Sequence, residues 1–134
     1  MFCVDGDTPA LDAFGALLAR GLSAAGVVRS AHDATLVANL SISDLRAVLP
    51  DRFGVLALPV HRFLELNVAG GLGASRAAGS PRGVVSVKRD ATLEAAMRAI
   101  VAHRLHHVFV VDDAGVPLAV VSTTDVLRLL VLGV

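Results

Sequence analysis

The chain contains one pattern twice, and that duplication limits its fold more than any single motif does. Residues 4–49 read VDGDTPALDAFGALLARGLSAAGVVRSAHDATLVANLSISDLRAVL, and residues 87–132 read VKRDATLEAAMRAIVAHRLHHVFVVDDAGVPLAVVSTTDVLRLLVL. Each copy begins with a valine and a short polar turn. A threonine, Thr8 or Thr92, then opens an amphipathic helix, with Pro9 as a favoured first-turn proline in the first copy. Leu11, Phe14, Leu17 and Leu18 fall on one face of the first helix, and Leu93, Ala96, Met97, Ile100 and Val101 on one face of the second. β-Branched strands follow, GVVRS at 26–30 and VFVVD at 108–112. After the turn signals AHDA and DDAG come second strands, TLVANL at 35–40 and PLAVVS at 117–122. Each copy closes on a helix that begins Ser-x-(Ser/Thr)-Asp: Ser41, Ser43 and Asp44 in one, Ser122, Thr124 and Asp125 in the other.

Each unit is therefore helix, strand, strand, helix. A leading strand at 84–87 precedes the second unit, whereas the first is expected to have almost none, because three residues precede Val4. A sheet of this size with two helices on one face cannot bury its other face alone at roughly fifty residues, but two such units packed sheet to sheet can. The expected fold class is α/β of the α+β kind: two repeats, each a small sheet with two helices, related by a pseudo-twofold axis. The expected boundaries are 1–49 for the first repeat, with a truncated leading strand, and 83–134 for the second. Between them lies 50–82, a loop, one helix from about Val60 to Asn67 and a linker rich in Gly and Ala.

Composition narrows the function classes. The chain of 134 residues is 54% hydrophobic and 18% charged. Its mean hydropathy is +0.69, more apolar surface than a small monomer easily hides, so burial against a partner or a second copy is expected. Lys and Arg number 12, Asp and Glu 12, and aromatic residues make up 4% with no Trp or Tyr. That balance leaves no electrostatic footprint or stacking platform for nucleic acid. The single cysteine, Cys3, excludes an internal disulfide and a cysteine-based zinc site. The most apolar long stretch, 9–28, is broken by Asp12 and Arg20, so no membrane span is expected, and the start MFCVDGD is not a secretory signal. A cytoplasmic location is the default expectation, with an organelle left open.

Several polar clusters have plain explanations. Ser122-x-x-Asp125 has the spacing of a capping box, with Asp in the place of Glu or Gln. His103, His106 and His107 lack an accompanying Cys or convergent acid and read as histidines at a helix end rather than zinc ligands. Asp112-Asp113-Ala114-Gly115 reads as a hairpin turn, not a calcium loop, and no nucleophile elbow accompanies the Ser, His and Asp residues. Catalysis is not expected.

The stretches Asp90-x-Thr92-Leu93 and RLHHVFVVDDAGVPLAVVSTTDVL at 104–127 resemble the CBS domain, and DTPALDAFGALLARGLSAAGVV with LVANLSISDL resembles a second copy. Two copies in tandem form what is called a Bateman module. The chain is similar in character to gamma subunits of AMP-activated (SNF1-type) protein kinases and to stand-alone plant and algal CBS-pair proteins.

The resemblance implies a regulatory module whose two clefts hold an adenosine ligand: AMP, ADP, ATP or, as an alternative, S-adenosylmethionine, with no cofactor required. It implies a partner such as a kinase complex, or a homodimer. It places Ser122, Thr124 and Asp125 in one cleft, Asp125 accepting from ribose hydroxyls, His106 and His107 facing phosphate, and Leu22, Ser23 and Ala24 near the base. The related cleft would use Ser41, Ser43 and Asp44 with Ser23 and Ala24, completed by Arg82, Gly83, Val84, Val85, Leu105 and His106. An ionised carboxylate is acceptor-only, which suits a pair of hydroxyls. His106-His107 stands where the family often has His-Arg, and Leu22-Ser23 carries no charge at all, which implies weak phosphate binding. In relatives the leading strand that the first repeat is expected to lack helps wall the cleft of Asp125, so the Asp44 cleft is expected to be the more intact. A module for protein interaction or dimerisation, binding no nucleotide, is the alternative reading; carboxylates buried in capping bonds would favour it, and open clefts would favour the sensor.

Overall fold

The computed structural model describes residues 2–46, 48–68, 84–103 and 105–133. Strand β1 (Cys3–Asp5) leads into helix α1 (Ala10–Ala19), then β2 (Ala24–Ser30), β3 (Asp33–Ser41) and the five-residue α2 (Ile42–Arg46). A 3₁₀ segment (Pro50–Ala57) and helix α3 (Val60–Val68) follow. The second repeat runs β4 (Ser86–Lys88), α4 (Leu93–Ala102), β5 (His107–Val111), β6 (Pro117–Ser122) and α5 (Thr123–Leu132).

The two sheets have the same topology, β1-β2-β3 and β4-β5-β6, each with a parallel first pair and an antiparallel second pair. The register is equivalent too: Ala24 pairs with Ser41 where His107 pairs with Ser122. The repeat read from the sequence is thus a repeat in space. The leading strand of the first repeat, expected to be nearly absent, is present: β1 is as long as β4 and pairs with β2 through Cys3, Val4 and Asp5. Three residues suffice because a parallel edge strand needs only those ladder bonds before the chain turns into its helix.

Two further expectations change. Thr8 does not cap α1; Pro9 stands at the N-cap position with no side-chain cap, and Leu58 O accepts the Ala10 N–H at 2.8 Å. The neighbouring segment thus supplies a backbone acceptor to the helix start. Thr92 does cap α4, its hydroxyl accepting from Ala95 N at 3.1 Å. On α1 the buried stripe is Ala10, Ala13, Phe14 and Leu17, while Leu11 is 60% exposed and Leu18 65%. The small side chains at 10 and 13 admit the 3₁₀ segment and α3 to close range, and that contact turns the helix. Val101 is likewise exposed on α4.

Phe14 meets Phe63 of α3 edge to face at 5.5 Å, centring a core that includes Val27, Leu40, Val60 and Leu64. The second repeat has its own smaller core of Ala96, Ile100, Val108 and Val126. Leu36, Phe109 and Val111 form a third cluster shared by the two sheets, which meet along β3 and β6. There Leu36 N donates to Gly115 O at 2.9 Å. The expected helix at Val60–Asn67 is α3; the stretch before it, expected as a loop, is the 3₁₀ segment; the Gly- and Ala-rich linker expected after it lies outside the described residues.

Candidate functional site

The two Ser-x-(Ser/Thr)-Asp stretches occupy the turns from β3 into α2 and from β6 into α5, and these junctions are built alike. The backbone N–H of the serine donates to the aspartate: Ser41 N to Asp44 Oδ2 and Ser122 N to Asp125 Oδ2, both at 2.9 Å. The next N–H is tied to the strand opposite: Ile42 N to Ser23 O and Thr123 N to His106 O, both at 2.9 Å. A residue that opens a helix straight from a strand leaves early N–H groups without helical acceptors, and these bonds satisfy them.

In the second junction the capping box is complete. Ser122 Oγ accepts Asp125 N at 3.1 Å in return for the Ser122 N–H bond, and the Thr123 hydroxyl donates to His106 O at 3.1 Å. Asp125 is exposed, and among the described residues no hydrogen bond or ion pair reaches its Oδ1. The backbone N–H of Ser122, and after it the Ser122 side chain, hold the Asp125 carboxyl below the ordinary carboxylate range. The group is thus an ionised acceptor with one oxygen anchored and one facing out.

His107 sits beside it, paired with Ser122 across the sheet. Its Nε2 lies 3.2 Å from Asn39 Oδ1 of the other repeat and its ring stands edge-on to Phe109 at 5.3 Å. Burial, then the neighbouring His106, pushes its pKa down, so its ring is held neutral. Only His106, which is exposed, is free to turn toward a ligand.

The first junction differs in the surroundings of its carboxylate and in the role of its serine hydroxyl. Asp44 is 3% exposed, and its Oδ1 accepts from Asn67 Nδ2 of α3 at 2.9 Å. Ser41 Oγ donates to Asp44 Oδ2 at 3.3 Å and shares a further bond with the Ser43 hydroxyl. The carboxylate expected in the more intact cleft is therefore covered, and the one expected in the incomplete cleft is open. The reason is α3, whose inner face lies over α1 and β3 of the first repeat and has no counterpart among the described residues of the second.

The structure thus gathers Ser122, Thr124 and Asp125 with His106 and His107, and separately Ser41, Ser43 and Asp44 with Ser23 and Ala24. Among the described residues no hydrogen bond joins Leu22, Ser23 or Ala24 to Asp125. Leu22 N bonds Leu17 O at 2.9 Å, and Leu105 N bonds Ile100 O at 2.9 Å, each closing the helix before it. Val84 packs into the cluster between the sheets and Val85 against the core of the second repeat, both in apolar contacts. Arg82 and Gly83 lie outside the described residues.

Sequence reasoning missed Asn67 and Asn39. Each is a polar residue in a buried pattern, Asn67 in the apolar stripe Val60, Phe63, Leu64 and Asn39 within TLVANL, and that misfit was the available signal.

An apolar groove of about 180 Å³ runs between α4 and α5, lined by Met97, Ile100, Val101, Thr123, Val126, Leu127 and Leu130; neither aspartate lines it. Among the described residues no three His, Cys, Asp or Glu side chains come together as a metal site, and no helix is long and apolar enough to cross a membrane.

A model of the CBS domain family matches residues 81–132. No curated protein sequence matches the chain. Among solved structures, the chain is similar to OpuCA of Staphylococcus aureus, with 15% identity over 99% of this chain and 94% of that one and a TM-score of 0.69. It is similar to CBSX2 in complex with AMP, with 21% identity over 98% and 88% of the two chains and a TM-score of 0.67. It also resembles a CBS domain protein of Pyrobaculum aerophilum complexed with AMP, with 16% identity over 92% and 80% and a TM-score of 0.68. With the doubled sheet topology and the equivalent junctions already described, these matches identify the second repeat as a CBS domain and the whole chain as having the fold of a tandem CBS pair.

Proposed function

We propose that the chain is a regulatory module that binds an adenosine ligand at the junction of β6 and α5. One observation carries this reading: Asp125 is an exposed, ionised carboxylate with Oδ2 fixed by Ser122 and Oδ1 uncommitted among the described residues. Such a group accepts from a ribose hydroxyl without having to break its own cap, so capping and ligand binding coexist. Thr124 stands beside it on the first turn of α5, and His106 is the side chain able to meet phosphate. An imidazole cannot make the bidentate phosphate contact of a guanidinium, which favours a ligand of low charge, adenosine or AMP over ATP. The AMP held in two of the similar structures supports the same class.

Binding regulates only if the ligand prefers one state of the module or its partner over another. Such a partner would be a second copy or a separate protein such as a kinase complex.

Calorimetric titration with AMP, ADP, ATP, adenosine and S-adenosylmethionine tests the proposal. AMP or adenosine is expected to bind, and Asp125→Ala to weaken it by about tenfold or more, the loss of a charged hydrogen bond. Failure of all five to bind a folded sample would sink the reading.

A second reading, an interaction module without nucleotide, is favoured by a different observation. Leu127, Leu129, Leu130, Val131 and Leu132 of α5 are all exposed, and the apolar groove lies beside them.

A further inference from the structure

We infer that Asn67 is an internal occupant of the first junction, so that the chain is a one-site module and the Asp44 junction is a clasp that fastens α3 to its repeat. The inference starts from a mismatch. Val60, Phe63, Leu64 and Asn67 are spaced as one face of α3, and all four are buried, yet the last is an amide at 1% exposure. A buried amide is retained against its desolvation only where a partner compensates it, and here the partner is Asp44 Oδ1 at 2.9 Å.

The amide is only half satisfied. Asn67 Oδ1 is buried with no hydrogen-bond partner among the described residues. An apolar residue would fit the stripe without that cost, so the side chain is explained by the one bond it makes. That bond goes to the oxygen equivalent to the open Oδ1 of Asp125, since the two junctions match in the bond from the serine backbone N–H to the aspartate Oδ2 and in their strand registers. The Asn67 N–H thus stands where a ligand hydroxyl would donate.

A ligand would have to displace the amide and lift α3. Val60 and Phe63 are fully buried, and Phe63 is seated edge-on against Phe14 at 5.5 Å. The internal donor is tethered and already ordered, and a free hydroxyl is neither, so the clasp wins.

Two measurements on the full chain test this, and the first rests on the adenosine reading of the second junction. Titration with AMP reads the number of sites. One equivalent is expected in the wild type, binding weakened by about tenfold or more in Asp125→Ala, and one equivalent in Asp44→Ala with affinity within about threefold of wild type. Amide hydrogen exchange reads the clasp without ligand. In Asp44→Ala and in Asn67→Ala the Phe63–Asn67 amides are expected to exchange about tenfold faster or more, with α4 and α5 unchanged. Where Asn67→Ala does not fold, Asn67→Ser, too short to reach Asp44, replaces it.

Two equivalents of AMP in the wild type would overturn the inference. So would loss of AMP binding in Asp44→Ala, or unchanged exchange across α3 in the folded variants. If the wild type binds no AMP, the adenosine reading fails, and the clasp stands or falls on the exchange result alone.

Discussion

Two aspartates in the same sequence context end in opposite states, and single neighbours cause the difference. Asp44 and Asp125 share a serine three residues before them and the same N–H bond to it. The long-range contact with Asn67 is made by Asp44 and not by Asp125, and no local pattern encodes a contact across 23 residues. The capping box at Ser122 was legible because it is local.

His107 carries a prediction at the same scale. Burial and His106 lower its folded pKa below the unfolded value of 6.5, so the unfolded chain binds a proton the folded one refuses. Its contribution is fully present above pH 6.5 and is lost as pH falls from there through the folded pKa. The slope is at most about 1.4 kcal/mol per pH unit for one proton. Urea midpoints measured between pH 5 and 7.5 should fall with acidification, and more shallowly in His107→Gln. Parallel curves for the two proteins would show that His107 is not the group responsible.

At the scale of elements, the sequence patterns located five helices and five of the six strands among the described residues, β1 being the strand expected to be almost absent. The period of α1 was right but its rotation was not. Ala10 and Ala13 are not among the residues expected on its core face, yet they are buried, and their smallness lets the 3₁₀ segment and α3 approach. The two helix-opening threonines show the same limit. Both have the N-cap chemistry, but Leu58 O meets the start of α1 while Thr92 alone serves α4. Thr92→Ala should therefore cost about 1 kcal/mol. Thr8→Ala should stay within about 0.5 kcal/mol, as substitutions that remove no cap do. Equal losses in chemical denaturation would mean that the two helices begin alike.

For the whole molecule, sheet-to-sheet packing of two repeats followed from arithmetic on buried area, and the structure has it. What the sequence did not encode legibly is where the halves touch. Gly115, in the turn between β5 and β6, has φ +82°, and a Cβ there would lie 3.3 Å from Thr35 Cγ2 of the other repeat. Its carbonyl accepts from Leu36 N. Gly115→Ala is expected to cost about 1–2 kcal/mol in backbone strain alone. That cost lowers the melting temperature by about 5 °C or more for a chain of this size. Gly54→Ala, where nothing lies within 4 Å and φ is ordinary, is the control and should barely move it.

The short leading strands have a consequence for how such an apolar chain avoids clumping. β1 and β4, at one edge of each sheet, offer three residues apiece, too few to recruit a strand from another molecule. β3 and β6, at the other edges, are the strands along which the two sheets meet. Growth by strand addition, the route to cross-β fibres, therefore has no long template at the β1 and β4 edges.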